Sequence, residues 1–345
     1  MKKIASLLLA LLLLCAGLAF AEEATEEAEI VYGPAIGCTL YTVRNEYNAM
    51  REEQLAAGAT EQEAATYALT ECLRRIAAMG YTAYQPNHAN TNWYLMDAAE
   101  LKALNEELGL TCISPHMVTA WSMSDEELTD FLLYLDAIDA TGISLDTSSP
   151  EEEGWEWGDR ITQDMILNWT NQIIEKMTFM RDKIDELGLD LKVGFHAHSY
   201  EWIPVEAEGG RYMLDILYGE FGKEFDWHFD TSHMVYPNVG FDAIYPYDFP
   251  GEEGLIEYLW AHGNQYNFIH FKDVDCEGYY TTAIGQGDIE WNEVLRACAY
   301  HGIQLVLVED NAPGSYNRDA FGSLQVSINY LNDMYHSLGL TRPDI

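Results

Sequence analysis

The chain has 345 residues, in which 57 acidic side chains outnumber 18 basic ones for a formal charge of −39, yet 48% of it is apolar and 12% aromatic. Acidic chains stay unfolded when they cannot bury enough apolar surface, and this composition excludes that class. It also excludes nucleic acid and anionic membrane surfaces as partners, because both require basic groups to displace counterions and so negative a surface repels them.

Residues 1–21 stand apart from the rest. Lys2 and Lys3 precede an apolar run that ends in Ala19-Phe20-Ala21 before Glu22, the order of charge, apolar stretch and small-residue cleavage site of a secretory signal. Cleavage after Ala21 is expected, giving an extracytoplasmic protein, secreted or periplasmic, with no stable membrane insertion. Cys15 follows Leu14 rather than a small residue, which argues against a lipid anchor. Residues 22–34 read as an acidic leader and residues 35–345 as a single domain. Cys38, Cys72, Cys112, Cys276 and Cys298 have no C-x-x-C spacing, so no zinc ribbon is expected, and export leaves room for one or two disulfides.

From there, short apolar runs alternate with amphipathic stretches. The runs 35–41, 81–85, 110–114, 143–146, 189–196, 225–230, 268–272 and 303–309 read as buried strands. Between them, 61–79 has helical apolar spacing and stops at Gly80, and 124–140 opens with an S-x-x-E capping box, Ser124 with Glu127. The segments 162–187 and 321–338 are closed by Gly188 and Gly339. Eight β-then-α units predict an α/β fold, a (β/α)8 TIM barrel with long loops after strands 4, 6 and 7. An open doubly wound sheet would carry a glycine-rich phosphate fingerprint after strand 1, and Gly37-Cys38-Thr39-Leu40 lacks one.

In such a barrel the reactive groups sit at the C-terminal ends of the strands. Strand 5 ends His196-Ala197-His198, strand 6 ends Asp230-Thr231-Ser232-His233, strand 7 carries His270-Phe271-Lys272-Asp273, and strand 8 ends Glu309-Asp310. His196, Asp230, His270 and Glu309 form a mixed imidazole and carboxylate set, predicted to hold one divalent ion, Mn²⁺, Zn²⁺, Co²⁺ or Fe²⁺ rather than Ca²⁺. Such an ion polarises a hydroxyl-ketone pair while a carboxylate, Glu309, moves the proton. Any one of these residues taken singly reads better as a hydrogen-bonded barrel residue; four at successive strand ends point to a centre.

These residues carry a resemblance. Asp230-Thr231-Ser232-His233-Met234 resembles the D-T-x-H-M segment of ketohexose 3-epimerases, and Phe195-His196-Ala197-His198-x-x-Glu201 resembles the Y-H-N-H-x-x-E motif of the sugar phosphate isomerase/epimerase group, which includes inosose dehydratase relatives. Gly37-x-x-Leu40-Tyr41-Thr42-Val43-Arg44, His270-x-Lys272-Asp273 and Gly285-Gln286-Gly287-Asp288-Ile289-Glu290-Trp291 are similar to the family's opening strand, H-x-K-D and G-x-G-x-I-D-W segments, in the same order. The resemblance implies a xylose isomerase-like TIM barrel, a divalent metal on Asp230, His270 and Glu309, and His233 on a substrate oxygen. The first ligand departs from the epimerase pattern, with His196 where those enzymes carry Glu. The epimerase arginine after the strand 7 histidine also has no counterpart, Cys276 standing near its position. Two-base epimerisation needs two glutamates, whereas one carboxylate with a histidine partner suits isomerisation, or elimination and hydration of a keto-sugar or cyclitol, equally well.

Further candidates follow from placement. His198 shares a strand face with His196 and is the alternative ligand. Lys272 is a candidate oxyanion stabiliser, its plain alternative a pairing with Asp273. Glu201 is a candidate for substrate or ligand orientation, or a surface carboxylate. His116 after strand 3 and His88 after strand 2 are candidate substrate contacts, and His228 reads as structural. Trp202, with Trp93, Trp121, Trp155 and Trp157, lies in or near the expected loops as a candidate wall against a sugar ring. Arg44 and Lys272 are the cations near the predicted mouth, too few for phosphate recognition, so an unphosphorylated sugar, keto-sugar or glycoside is the expected small-molecule partner. A homo-oligomer is left open. The competing readings are a DNA repair endonuclease, against which the charge speaks, and a non-catalytic sugar-binding protein, which predicts lost ligands.

Overall fold

The computed structural model describes residues 31–87, 92–117, 120, 123–146, 160–235, 250–276, 280–311 and 319–343. The barrel strands, apart from three short two-stranded sheets outside the ring, are β1 (Ala35–Thr39), β2 (Ala83–Gln85), β3 in two pieces (Thr111–Cys112 and His116–Met117), β4 (Gly142–Asp146), β5 (Lys192–Ala197), β6 (Asp226–Asp230), β7 (Phe268–Phe271) and β8 (Leu305–Val308). Every pairing among them is parallel, and the sheet starts at one piece of β3, runs through β2, β1, β8, β7, β6, β5 and β4, and ends at the other piece. The interrupted strand therefore closes the ring: Ile113 N–H donates to Tyr84 O and His116 N–H to Pro86 O on one side, while Ser144 N–H donates to Pro115 O on the other. Pro115 supplies no N–H to a ladder, so the strand breaks there and resumes at His116, beyond the end of the predicted run 110–114.

The helices are α1 (Arg44–Ala56), α2 (Glu61–Ala78), α3 (Ala98–Leu108), α4 (Asp125–Ala137), α5 (Gln163–Leu187), α6 (Met213–Phe221), α7 (Thr231–Val235), α8 (Gly251–His262), α9 (Trp291–His301) and α10 (Ala320–Leu338). Both α2 and α4 open on capping boxes, Thr60 with Glu63 and the predicted Ser124 with Glu127. α4 stops short of the predicted residue 140 because Asp139 takes a left-handed φ of 55°, which turns the chain toward β4. β5 starts later than predicted because Leu189 N–H still caps α5 at Ile184 O.

α2 buries Ala64, Ala65, Ala68, Leu69, Cys72, Leu73 and Ile76, the three-to-four spacing of one helical face. Such faces and the outward side chains of the strands form the main apolar layer, and a smaller cluster of Ala35, Ala83, Ile113, Phe268, Leu305 and Leu307 fills the ring itself. Gly37 belongs to this filling, since a Cβ there would lie 2.9 Å from both Ala83 O and a Leu307 methyl. The barrel is thus plugged below and polar above, which confines chemistry to the strand C-termini. The five cysteines among the described residues are all free thiols, and no helix there is long and apolar enough to cross a membrane.

Candidate active site

Register sets the polar layers. Asp146 pairs with His196, His196 with His228, His228 with Phe268, and Asp230 with His270. Side chains alternate along a strand, so Ser144 and Asp146, His196, His228 and Asp230, and His270 share the inner face, with Phe268 below and Lys272 and Glu309 just above. Gly194 makes room for this stack: a Cβ on it would stand 3.4 Å from His228 Nε2.

A carboxylate and lysine cluster forms one half of the site. Lys272 Nζ donates to Asp230 Oδ2 and to Glu309 Oε1, each at 2.9 Å, and lies 3.5 Å from His233 Nε2. His270 Nδ1 stands 2.8 Å from Glu309 Oε2. Asp230 Oδ1 accepts from Ser232 N–H (2.8 Å) and Ser232 Oγ (2.7 Å), which fixes the carboxylate and leaves Oδ2 facing inward. His233, in the first turn of α7, is held by Ser199 Oγ, 2.9 Å from Nδ1. Turned to suit its neighbours, the Asn311 amide donates to Glu309 Oε1 (2.7 Å) and accepts from Lys272 Nζ (3.0 Å). Burial opposes ionisation of Glu309, but the Lys272 ammonium and the His270 hydrogen bond outweigh it and hold the carboxyl well below the usual range. In Asp230, burial is likewise outweighed by Lys272 and His233, and the carboxyl is held low.

Imidazoles form the other half. The His196 ring centroid is 4.2 Å from that of His270, 4.3 Å from His116 and 4.8 Å from His198. Burial, with neighbouring imidazoles adding to it, keeps His196 and His228 neutral, their pKa well below the usual value. His116 is the exception. Burial disfavours its charged form, yet Asp146 Oδ2, 2.6 Å from Nε2, raises the imidazole above its ordinary value.

The signature loop after β7 works differently from the residues beside it. Asp273 pairs with no lysine; its carboxylate accepts from Gly285 N–H (2.8 Å), Gly287 N–H (3.0 Å), Ile289 N–H (3.3 Å) and Trp291 Nε1 (2.9 Å). Gly285 has a φ of 81°, and a Cβ on Gly287 would run into Val274 O and Asp273 Oδ1. The G-x-G spacing therefore lets backbone wrap a buried carboxylate. Arg44 is engaged likewise, donating to Tyr41 O (2.7 Å) and Asn311 O (2.9 Å) with its guanidinium over the Tyr41 ring.

The structure thus brings together Asp230, His270, Glu309, Lys272 and His233, with His196, His198, His116 and His228 beside them. It does not bring Trp202 to the site: that ring is buried against Phe229, Tyr212 and Tyr258, in the layer between barrel and helices. Trp93 packs similarly with Phe131 and Tyr134. Glu201 is fully buried and accepts from His198 N–H at 2.7 Å, so it braces the turn after β5. His88, Trp121, Trp155 and Trp157 lie outside the described residues, as do residues 1–30 with the predicted signal. Sequence reasoning missed Asp146, Ser199 and Asn311. Asp146 closes β4 and was legible as a carboxylate at a strand end; Ser199 and Asn311 carry no signal that separates them from loop residues.

The donor set fits a divalent transition ion. Asp230, His270 and Glu309 each offer a ligand atom within 4.8 Å of the others, and buried His270 Nε2 has no hydrogen-bond partner; His196, the predicted fourth ligand, groups with the neighbouring imidazoles instead of with the two carboxylates. Lys272 Nζ, between the two carboxylates, marks where the site already favours a cation.

No protein-family model and no curated protein matches the sequence. Solved structures match its fold over most of its length. A sugar phosphate isomerase/epimerase from Parabacteroides distasonis is similar at 16% identity and a TM-score of 0.57, covering 87% of this chain and 98% of that one. An IolI protein with a bound zinc atom matches at 13% identity and 0.57, covering 88% and 98%. A D-tagatose 3-epimerase-like protein matches at 16% and 0.54, covering 88% and 99%. The chain has the xylose isomerase-like (β/α)8 fold that these structures share.

Proposed function

We propose that this protein is a divalent-metal-dependent isomerase or epimerase of a small unphosphorylated sugar, keto-sugar or glycoside, working by proton transfer beside a carbonyl. The observation that carries the reading is the convergence of Asp230, His270 and Glu309 with Lys272 and His233 at the open end of the barrel. An ion held by Asp230, His270 and Glu309 supplies Lewis-acid polarisation of adjacent substrate oxygens. The zinc of the IolI structure and the epimerase-like folds support the metal and sugar parts of the reading.

Glu309 takes the proton. It is ionised, but a carboxylate paired to an ammonium is a weak base, and its basicity rises when Lys272 turns to a substrate oxygen. Lys272 then neutralises the developing oxyanion, and His233, oriented by Ser199, binds a neighbouring oxygen. Arg44 is committed to backbone carbonyls, and one lysine set between two carboxylates does not make a phosphate site, which supports a substrate without phosphate. One observation favours a second reading: the His116–Asp146 pair, at 2.6 Å, offers a general acid for a leaving hydroxyl and hence elimination of water. The Ala19-Phe20-Ala21 site supports export with cleavage before Glu22, which N-terminal sequencing of the mature protein checks.

The test is a panel of ketoses, aldoses and keto-cyclitols in D2O followed by NMR. Deuterium is expected at the carbon next to the carbonyl, and Glu309→Gln should abolish its incorporation while sugar still binds. Elimination product without isomer would replace the first reading by the second. Sugar binding without exchange, indifferent to chelator and to Glu309→Gln, would overturn both in favour of a binding protein.

A further inference from the structure

We propose a second divalent transition-metal site beside the first, built from His116, His196 and His198 with Asp146. It uses none of Asp230, His270 or Glu309 and does not depend on their role.

Each of the three histidines offers a ring nitrogen within 4.8 Å of the other two. Centroids lie 4.3 Å apart for His116 and His196, 4.8 Å for His196 and His198, and 5.8 Å for His116 and His198. His116 and His196 are buried and His198 is about a fifth exposed, leaving the cluster reachable from the mouth. Nδ1 of His196 and Nδ1 of His198 have no hydrogen-bond partner. A buried polar atom left unsatisfied is costly, so two such nitrogens within one cluster of rings give the barrel a physical reason to have them filled. A small apolar core would use Leu or Val here at lower cost.

Asp146 adds the second element. Its Oδ2 is 2.6 Å from His116 Nε2 and 4.0 Å from His198 Nε2. A carboxylate on the far nitrogen is the usual support of a metal-bound histidine; with Asp146 on Nε2, His116 would face the ion through Nδ1, where the Asn87 amide nitrogen, 3.3 Å away, is the group the ion displaces. Glu201, through His198 N–H, fixes the backbone that presents the third ring. Three imidazoles with a carboxylate behind them suit Zn²⁺ or Co²⁺ over Mg²⁺ or Ca²⁺, with a coordination position left for water or substrate.

The experiment uses the full chain stripped with chelator, then titrated with Zn²⁺ for stoichiometry by elemental analysis and with Co²⁺ for visible absorption. Wild type is expected to bind two ions per chain, and His116→Gln/His198→Gln and Asp230→Asn one each. Circular dichroism verifies the fold. Should the double variant not fold, His198→Gln alone replaces it, expected to weaken one of the two ions by about tenfold or more. One ion, lost in Asp230→Asn and kept in the histidine variant, overturns the second site and leaves the first. One ion with the reverse pattern supports the second site and removes the first. One ion lost in both variants means a single shared centre and overturns the proposal, as does no binding at all.

Discussion

Lys272→Met removes the ammonium while keeping most of the stem. Asp230 Oδ2 and Glu309 Oε1 each stand 2.9 Å from Nζ, and both carboxylates are buried, so both lose their cation together. Removing one partner of a buried ion pair costs about 3–5 kcal/mol. Asp230 keeps its two Ser232 bonds and Glu309 keeps His270, so the loss belongs within that range rather than at its double. At roughly 2 °C per kcal/mol for a chain of this size, the melting temperature in chelator should fall by about 6–10 °C. A divalent ion is the natural replacement cation. Added Zn²⁺ or Mn²⁺ should recover most of the loss, and the gain should exceed that of wild type, where the ion must first displace the ammonium. Thermal unfolding followed by circular dichroism, with chelator and with metal, measures both effects. A variant that melts with wild type in chelator, or gains no more from metal, would refute the reasoning.

Gly287→Ala should lower stability by about 1–3 kcal/mol, because the new Cβ meets backbone and the Asp273 carboxylate rather than a yielding side chain; an unchanged urea midpoint would show that the loop does not need its glycine. The His116–Asp146 pair should give a pH signature in chelator. Asp146 is held below its usual pKa: burial opposes this, but His116 prevails, so its stabilisation is present above about pH 4 and lost as pH falls. His116 is raised, so its share is present below about pH 6.5 and lost as pH climbs past the raised value. Asp146→Asn should therefore cost more stability at pH 6 than at pH 9, and an equal loss at both would dissociate the pair from any charge.

The barrel was legible because both of its periodicities are regular. Helix ends carry chemistry that reads directly, such as Ser124 with Glu127 and the terminal Gly188 and Gly339. The break in β3 was less legible: the apolar run through Ser114 looks continuous, and only the lost ladder donor at Pro115 interrupts it. Asp230, His270 and Glu309 were legible as strand-end residues of metal-binding type. The partition of the histidines was not, since sequence spacing says which face a ring occupies but not which neighbour it meets across the barrel. Trp202 shows the limit in reverse. A tryptophan next to a site loop reads as a pocket wall, yet the turn after β5 carries it behind Phe229, where apolar burial is greater.

Lys272 and Asp273 are adjacent, yet the first reaches into the barrel and the second holds the loop that follows. One dipeptide thus serves two separate structures, the polar site and the loop beside it. Replacing the lysine would alter the charge of the site while the aspartate and its glycines still hold the loop around it. The architecture of this strand end and its chemistry therefore rest on neighbouring but separable side chains.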